Sequence, residues 1–292
     1  MSYANLRAFQ AVASHGSFTR AAESLGVTQP TLSAQVKALE DQYGVALLDR
    51  RGRSVAATGL GEQLLEITRR LFLLEAEADE LLSRARDLTA GHLRVAAGGP
   101  YYAVPLLAAF RERYPGVHIS LSIGNSGEVL DALLHDRADV AVMSDLEPDP
   151  RLESLPYAEH RLVVFVPRMH PWAKRRGIRL RELEGQPMVL RETGSMTRRL
   201  FEQAIASAKV TPRIVMEIES REAVSEAVAA GLGIGVVSEA EFGHDERLTA
   251  VQVTDVAMLT REYVVCLKER RPLRIVSAFL DQARPRLKRP KP

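Results

Sequence analysis

The stretch from Ser17 to Arg53, SFTRAAESLGVTQPTLSAQVKALEDQYGVALLDRRGR, constrains the fold more than any other part of the chain. Ser17 is a candidate N-cap. Behind it Phe18, Ala21, Ala22 and Leu25 recur at i, i+3, i+4 and i+7, making one apolar face, and Gly26 supplies a helix stop. A second helix follows at once: Thr28 can cap it, Pro30 sits in the first turn where a missing N–H costs nothing, and Leu32, Val36 and Leu39 form the buried stripe before Gly44. Two short helices joined at Gly26 and Val27 read as a helix-turn-helix, whose second helix offers its exposed positions to base edges.

Those positions are Gln29, Thr31, Ser33, Ala34, Gln35 and Lys37. Gln pairs bidentately with adenine, Ser and Thr bond bases or phosphates, and Lys places a charge on the backbone. Downstream, Leu47 and Leu48 read as an apolar anchor, and Arg50, Arg51 and Arg53 crowd around Gly52 as the tip of a wing hairpin. The less favoured alternative for any one of these arginines is a solvated turn. With the caps and the first turns included, the candidate contacts to double-stranded DNA are Ser17, Thr19, Thr28, Gln29, Pro30, Thr31, Ser33, Gln35, Lys37, Arg50, Arg51 and Arg53.

Residues 1 to 64 resemble the N-terminal winged helix-turn-helix of LysR-type transcriptional regulators. Leu6, Phe9 and Val12 lead the first helix, GSFTRAAESLGVTQPTLSAQVKALE follows the family pattern, and Thr58 with Gly61 matches its T-x-x-G opening of a linker helix. Leu60 stands where alanine is usual, and Ala34 where the family often has a polar or basic residue, which bears on sequence specificity.

From Gly59 to about Leu88, Leu64, Ile67, Leu71, Leu74, Ala78, Leu81, Ala85 and Leu88 recur at steps of three and four between charged flanks. One long helix with a narrow apolar stripe cannot hide that stripe alone. The stripe packs either on its own C-terminal domain or on a second copy; a homodimer through this helix is expected, because dimeric DNA readers need such a spacer, with a tetramer beyond it.

After Thr89-Ala90-Gly91 the pattern alternates strand and helix: LRVAAGG, VPLLAAFRERYPG, HISLSIGN, SGEVLDALLHDR, ADVAVMS. Such alternation predicts a doubly wound α/β unit. RLVVFVP begins a second unit, and the chain returns to the first through LRIVSAFLDQA. The expectation is an α+β multidomain protein: a winged helix-turn-helix over 1–58, a linker helix over 59–90, and a two-lobed α/β effector domain over 91–292. Lobe I takes about 91–161 and 268–292 and lobe II about 162–267, with crossings near His160 to Leu162 and Leu267 to Glu269. The LysR resemblance implies the same two-lobed fold, that of periplasmic binding proteins.

Composition excludes more than it selects. The first 64 residues hold six Lys or Arg against five Asp or Glu, so DNA affinity must come from placement rather than bulk charge. MSYANLRAF lacks the features of a signal peptide and no run of about 18 apolar residues appears, so a cytoplasmic protein without membrane contact is expected. Cys266, the sole cysteine, reads as a buried strand thiol, and the seven histidines show no metal-ligand spacing. Gly231-Leu232-Gly233-Ile234-Gly235 follows a helix and precedes a strand, the reverse of a dinucleotide site, and reads as a helix stop. The tail Arg284, Arg286, Lys288, Arg289, Lys291 reads as a solvated end. No acid/base or nucleophile set stands out, so neither catalytic residues, nor a cofactor, nor a metal is expected. A ligand-responsive regulator is therefore favoured over a solute-binding or catalytic α/β protein with an accessory DNA-binding domain.

An effector cleft is expected where strands end and helices begin, because free N–H groups converge there and hold anions. The candidates are Gly99, Tyr101 and Tyr102 after the first strand, Asn125 and Ser126 after the second, Ser144 and Asp145 after the third, then Thr193, Ser195, Met196 and Thr197, and last Ser220 and Glu222. The tyrosine pair could cover a cation, with Asp145 and either Glu192 or Glu222 as its carboxylate, which suits a zwitterion. The strings PYY, IGNSGEVL, RETGSMTR, EIESREAVSEAVAAGLGIGVVS and EYVVCLKERR resemble the LysR subgroup associated with 2-aminoethylphosphonate catabolism, which implies that phosphonate as effector.

Overall fold

The computed structural model describes residues 2–49, 55–83, 91–144 and 146–283, with the side chains of 77 and 79–83 left aside. Three helices, α1 (Tyr3–His15), α2 (Phe18–Leu25) and α3 (Gln29–Tyr43), enclose Phe9, Val12, Leu32, Val36 and Leu39, all essentially inaccessible. Gly26 closes α2 at φ 66° and Gly44 closes α3 at φ 64°, left-handed positions suited to glycine. The expected caps form: Ser17 Oγ accepts from Arg20 N at 3.4 Å, and Thr28 Oγ1 from Thr31 N at 3.3 Å.

A short antiparallel pair, β1 (Leu48–Asp49) and β2 (Ala56–Ala57), forms the base of the wing. Arg50, Arg51 and Arg53, between these strands, lie outside the described residues. Glu40 pins the wing to α3 by accepting from Leu47 N at 2.8 Å and Leu48 N at 3.2 Å. Helix α4 (Gly59–Ser83) then opens on the T-x-x-G turn. Thr58 Oγ1 accepts from Gly61 N at 3.0 Å and donates to Ala46 O at 2.8 Å, and a Cβ on Gly61 would stand 2.1 Å from Leu47 O. Only glycine fits there.

Helix α4 divides its apolar residues between three destinations. Leu65 and Phe72 pack against the helix-turn-helix, and Leu73 and Ala76 against the C-terminal domain. Ile67, Leu71 and Leu74 remain 61%, 40% and 61% exposed. Of the stripe read from the sequence, Leu64 packs on the helix-turn-helix, whereas Ile67, Leu71 and Leu74 are left largely open among the described residues.

Beyond the linker come β3 (Gly91–Ala97), α5 (Pro100–Arg113), β4 (Val117–Ile123), α6 (Ser126–Leu134), β5 (Val140–Ser144) and β6 (Leu152–Pro167). There follow β7 (Pro187–Arg191), α7 (Met196–Ala208), β8 (Arg213–Ile218), α8 (Arg221–Ala229), β9 (Gly235–Ser238), β10 (Leu248–Val251), β11 (Leu259–Leu267) and α9 (Arg274–Ala283). β3 lies between parallel neighbours β4 and β5, a switch point from which α5 and α6 leave on opposite sides. The 16-residue β6 spans both lobes: its first half pairs with β11, its second half with β9 and β10. Parallel β7 and β8 join lobe II through the Met188–Ile234 bridge.

The second crossing differs from the one read in the sequence. Val265 to Glu262 of β11 pair with Ala141 to Ser144 of β5, so the chain is already in lobe I before Leu267. The apolar run VVCL belongs to that core, where Val265 and Cys266 are fully buried and burial pushes the Cys266 thiol up to about 12. The return therefore falls near Met258 to Thr260. Helix α9 completes lobe I, with Phe279 edge-on to Phe110 at 5.4 Å.

Candidate functional site

The first exposed surface of interest is the N-terminal half of α3. Gln29, Pro30, Thr31, Ala34 and Lys37 are exposed and Ser33 and Gln35 half-buried, on a helix whose opposite face is the domain core. Thr19 is exposed on α2. Ser17 and Thr28 serve as caps, and Thr28 Oγ1 lies 2.8 Å from Thr31 Oγ1, so these hydroxyls also fix the helix starts. The surface is polar, convex and held by a rigid base, a shape that suits a groove.

The second site is a small cavity between the lobes, with about 30 Å³ of interior space. Four helix starts surround it: Gly99 before α5, Asn125 and Ser126 at α6, Ser195 to Thr197 at α7, and Arg221 at α8. Peptide N–H groups and the positive helix ends gather where an anion can replace water. Asn125 closes a capping box with Glu128, accepting from Glu128 N at 3.1 Å and donating its own N–H to Glu128 Oε2 at 2.8 Å. That pins its side chain against lobe II, where a Cβ on Gly194 would meet Asn125 Nδ2 at 2.9 Å. Ser195, 6% exposed, makes no capping bond through its side chain.

Charge of both signs lines the cavity. Arg221 Nη2 stands 3.0 Å from Glu241 Oε2, and Arg191 Nε stands 2.8 Å from Glu192 Oε2. Glu262, 4% exposed, accepts from Ser144 Oγ at 2.5 Å. Burial raises the Glu241 carboxyl above its ordinary range, against the opposing pull of Arg221 and Arg191. Tyr102 reaches across the lobes to Ser238, 3.2 Å between oxygens, and burial raises its phenol as well. Such a lining offers guanidinium and helix N–H groups to an anion, and carboxylates to a cation or hydroxyl donor.

Of the residues read from the sequence, the cavity gathers Gly99, Tyr102, Asn125, Ser126, Ser144, Ser195, Met196 and Thr197. Tyr101 does not join them. It is 41% exposed and borders a separate groove with Phe165 and Phe242, because successive residues of α5 project in different directions. The expected tyrosine pair over a cation is therefore not formed. Thr193 is exposed; Glu192 is held by Arg191. Ser220 caps α8 and bonds Glu222 at 2.8 Å, both facing an adjoining pocket. Asp145 lies outside the described residues.

The sequence reading missed Arg191, Ser238, Glu241, Thr260 and Glu262, and placed Arg221 at a cleft junction without making it a candidate contact. Glu262 had a signal: a carboxylate inside the apolar strand LTREYVVCL invites the question of its partner. Arg221 stands at the start of α8, but nothing local distinguishes Glu241, 20 residues on.

Residues 3–62 match the family described as bacterial regulatory helix-turn-helix protein, lysR family, and residues 86–288 match the LysR substrate binding domain. The chain is 33% identical over 278 residues to the HTH-type transcriptional activator CmpR of Synechocystis sp., covering 94% of this chain and 91% of the relative. It is 35% identical over 240 residues to the RuBisCO operon transcriptional regulator of Allochromatium vinosum, covering 82% and 80%. The Synechocystis PCC6803 CcmR regulatory domain in complex with 2-PG superposes with a TM-score of 0.61 at 29% identity, covering 66% of this chain and 95% of that one. None of the three carries a phosphonate name.

Proposed function

The chain belongs to the LysR family of bacterial transcription regulators, and from that premise we propose an effector class and an assembly. The established part is a DNA-binding regulator with an effector-binding domain, not an enzyme. Our reading adds that α3 and the wing enter DNA as part of a homodimer formed through α4, and that occupancy is set by a compact anion held between the lobes. The anion carries phosphonate or phosphate on the Ser195 to Thr197 helix start and a second, proton-donating group toward Glu241 and Glu262. 2-Aminoethylphosphonate fits that description. The observation that supports it is the two-signed lining: two buried carboxylates beside two guanidiniums. A purely anionic ligand that draws Arg221 to itself takes from Glu241 its guanidinium partner, and a ligand that also carries a donor replaces it.

A second reading has its own support in the relatives. A regulator named for the RuBisCO operon and a regulatory domain solved with 2-PG favour an effector of carbon metabolism in the same cavity. Calorimetric titration with 2-aminoethylphosphonate, ethylphosphonate, 2-PG and inorganic phosphate separates the two. Tight binding of the first alone supports the zwitterion. Tight binding of 2-PG with none of the amine transfers the site to the second reading, and equal binding of all four reduces it to a generic anion trap. Labelled operator DNA, with and without the ligand that binds, then shows whether occupancy responds.

A further inference from the structure

A cavity of about 600 Å³ lies where the helix-turn-helix, the linker helix and lobe I meet, far larger than the space between the lobes. Lobe I contributes Arg94 from β3, Arg137 after α6 and Arg270 after β11; α1 contributes Arg7 from the opposite wall. The guanidiniums of lobe I are fixed in place. Arg94 and Arg270 both hold Asp139, at 2.6 and 2.7 Å, Arg270 also holds Asp136 at 3.0 Å, and Arg137 holds Asp131. Arg69 of the linker helix reaches the same Asp136 at 3.3 Å. On the linker side Glu75, a carboxylate of the lining, accepts from the Tyr3 hydroxyl.

Among the described residues, two buried donors on residues of this lining have no hydrogen-bond partner: Ser14 Oγ, on a residue 9% exposed, and Arg137 Nε. An unanswered buried donor costs stability, and two of them just beneath the wall of one cavity are relieved by an acceptor that reaches them with a small shift of their side chains. His15 is shifted toward its neutral form by burial and then by Arg137, Arg20 and Arg94, against the Ala11 carbonyl that its Nδ1 meets at 2.9 Å. His92 is shifted the same way by burial, His118 and Arg94, opposed by Asp139. His135, the third ring of the lining, rests against Asp131 at 2.7 Å.

We propose that this junction is a second binding site, for a small oxyanion of the phosphate or sulfate class. Its oxygens accept from Ser14 Oγ and Arg137 Nε, while Arg7 and His15 of the DNA-binding domain and Arg94 of lobe I supply the charge. One ion then ties the DNA-reading head to the effector domain through groups that belong to neither site already described. Burial is the main reason that His15 and His92 favour the neutral form, and the negative charge opposes the smaller pull that the nearby arginines add, so binding takes up protons and strengthens as pH falls.

The test is calorimetric titration of the full chain with inorganic phosphate, sulfate and glycerol phosphate at pH 6.5 and pH 8. It is run on the natural sequence, on Ser14→Ala, on Arg7→Gln and on the cleft variant Arg221→Gln. The expected result is an oxyanion site that persists in Arg221→Gln, weakens about tenfold or more in each junction variant, and is tighter at pH 6.5. Inorganic phosphate and glycerol phosphate distinguish a free ion from a phosphoryl group on a larger molecule, and either supports the site. Arg7 is exposed, so its variant keeps the fold even if Ser14→Ala disturbs packing. Binding lost in an Arg221→Gln protein shown to be folded by circular dichroism at the same pH, but intact in both junction variants, assigns the ion to the cleft and overturns the proposal, as does no binding of any of the three at millimolar concentration.

Discussion

The helix-turn-helix and the interlobe cavity solve opposite problems with similar residue types. On α3 the polar residues Gln29, Thr31 and Lys37 stand exposed on an apolar base and await a partner from outside. Between the lobes, polar and charged residues are already matched to one another: Arg221 to Glu241, Arg191 to Glu192, Ser144 to Glu262, Tyr102 to Ser238. An open surface gains affinity by adding contacts, whereas a closed site must exchange its internal pairs for those with a ligand. The first tolerates change residue by residue; the second answers as a unit.

The largest expected effect breaks the two apart. Leu71→Glu with Leu74→Glu places charge on the exposed stripe of α4 and should yield monomers by sedimentation. If the proposed dimer forms, losing its second DNA-binding head should forfeit avidity of about 10²- to 10⁴-fold on a paired operator site. Effector binding to the monomer should persist unchanged. A variant that sediments as an intact dimer shows that the stripe is not the interface.

Next in size is Arg221→Gln, which strands a buried carboxylate. Breaking a buried ion pair from one side costs about 3 to 5 kcal/mol. Glu241 shows why: burial already raises its carboxyl above the range of the unfolded chain, so the folded state binds its proton more readily. The charged form therefore opposes folding above the ordinary carboxylate range, and that opposition fades as pH falls. Thermal unfolding should find Arg221→Gln least stable relative to the natural protein at neutral pH and closer to it near pH 5. Adding Glu241→Gln should recover much of the loss. DNA binding should stay intact wherever the protein is folded. A deficit independent of pH removes Glu241 from the account.

The two regions also differed in how far they could be read from sequence. The caps Ser17 and Thr28, the stops Gly26 and Gly44 and the T-x-x-G turn act within a few residues, so spacing alone located them. The cavity depends on pairings such as Tyr102 with Ser238, 136 residues apart, and Ser144 with Glu262, 118 apart. Helix starts announced Asn125 and Ser195, because a strand followed by a small polar residue and a helix is a local pattern. Arg191, Glu241 and Glu262 carry no such pattern; only the packing of the two lobes brings them together. Tyr101 and Tyr102 look equivalent in the sequence, yet one helical step of about 100° sends one into the cavity and the other out. The second crossing was misplaced for a related reason, since an apolar strand does not announce which lobe it pairs with.

Ser195→Ala tests whether the helix start of α7 holds an anion. Its hydroxyl caps no backbone N–H, so removing it should leave the fold intact and cost one hydrogen bond to a charged ligand, about 1.5 to 3 kcal/mol of effector affinity. Thr197→Ala should act in the same way. Calorimetry on both, with the ligand that binds the natural protein, measures the loss. Unchanged affinity in both variants moves the anion away from α7, toward Arg191 or Arg221.

The smallest and most local effect is expected at Gln29. It is exposed in the first turn of α3, beside Pro30 and above the Thr28 cap, so its removal disturbs neither packing nor the helix start. If its amide reads a base edge, Gln29→Ala should cost about 1 to 3 kcal/mol against the preferred base pair and little against the other three. The measurement is binding to a set of operator variants changed one base pair at a time, at fixed salt. The expected outcome is lost discrimination at a single position, repeated at its symmetry mate. An equal loss on every sequence, with the salt dependence unchanged because the amide carries no charge, instead places Gln29 on a phosphate and leaves base recognition to Thr31, Ser33 or Gln35. Effector affinity should be the same in the variant and the natural protein, because the amide stands on the open surface and answers to no pair inside the cleft.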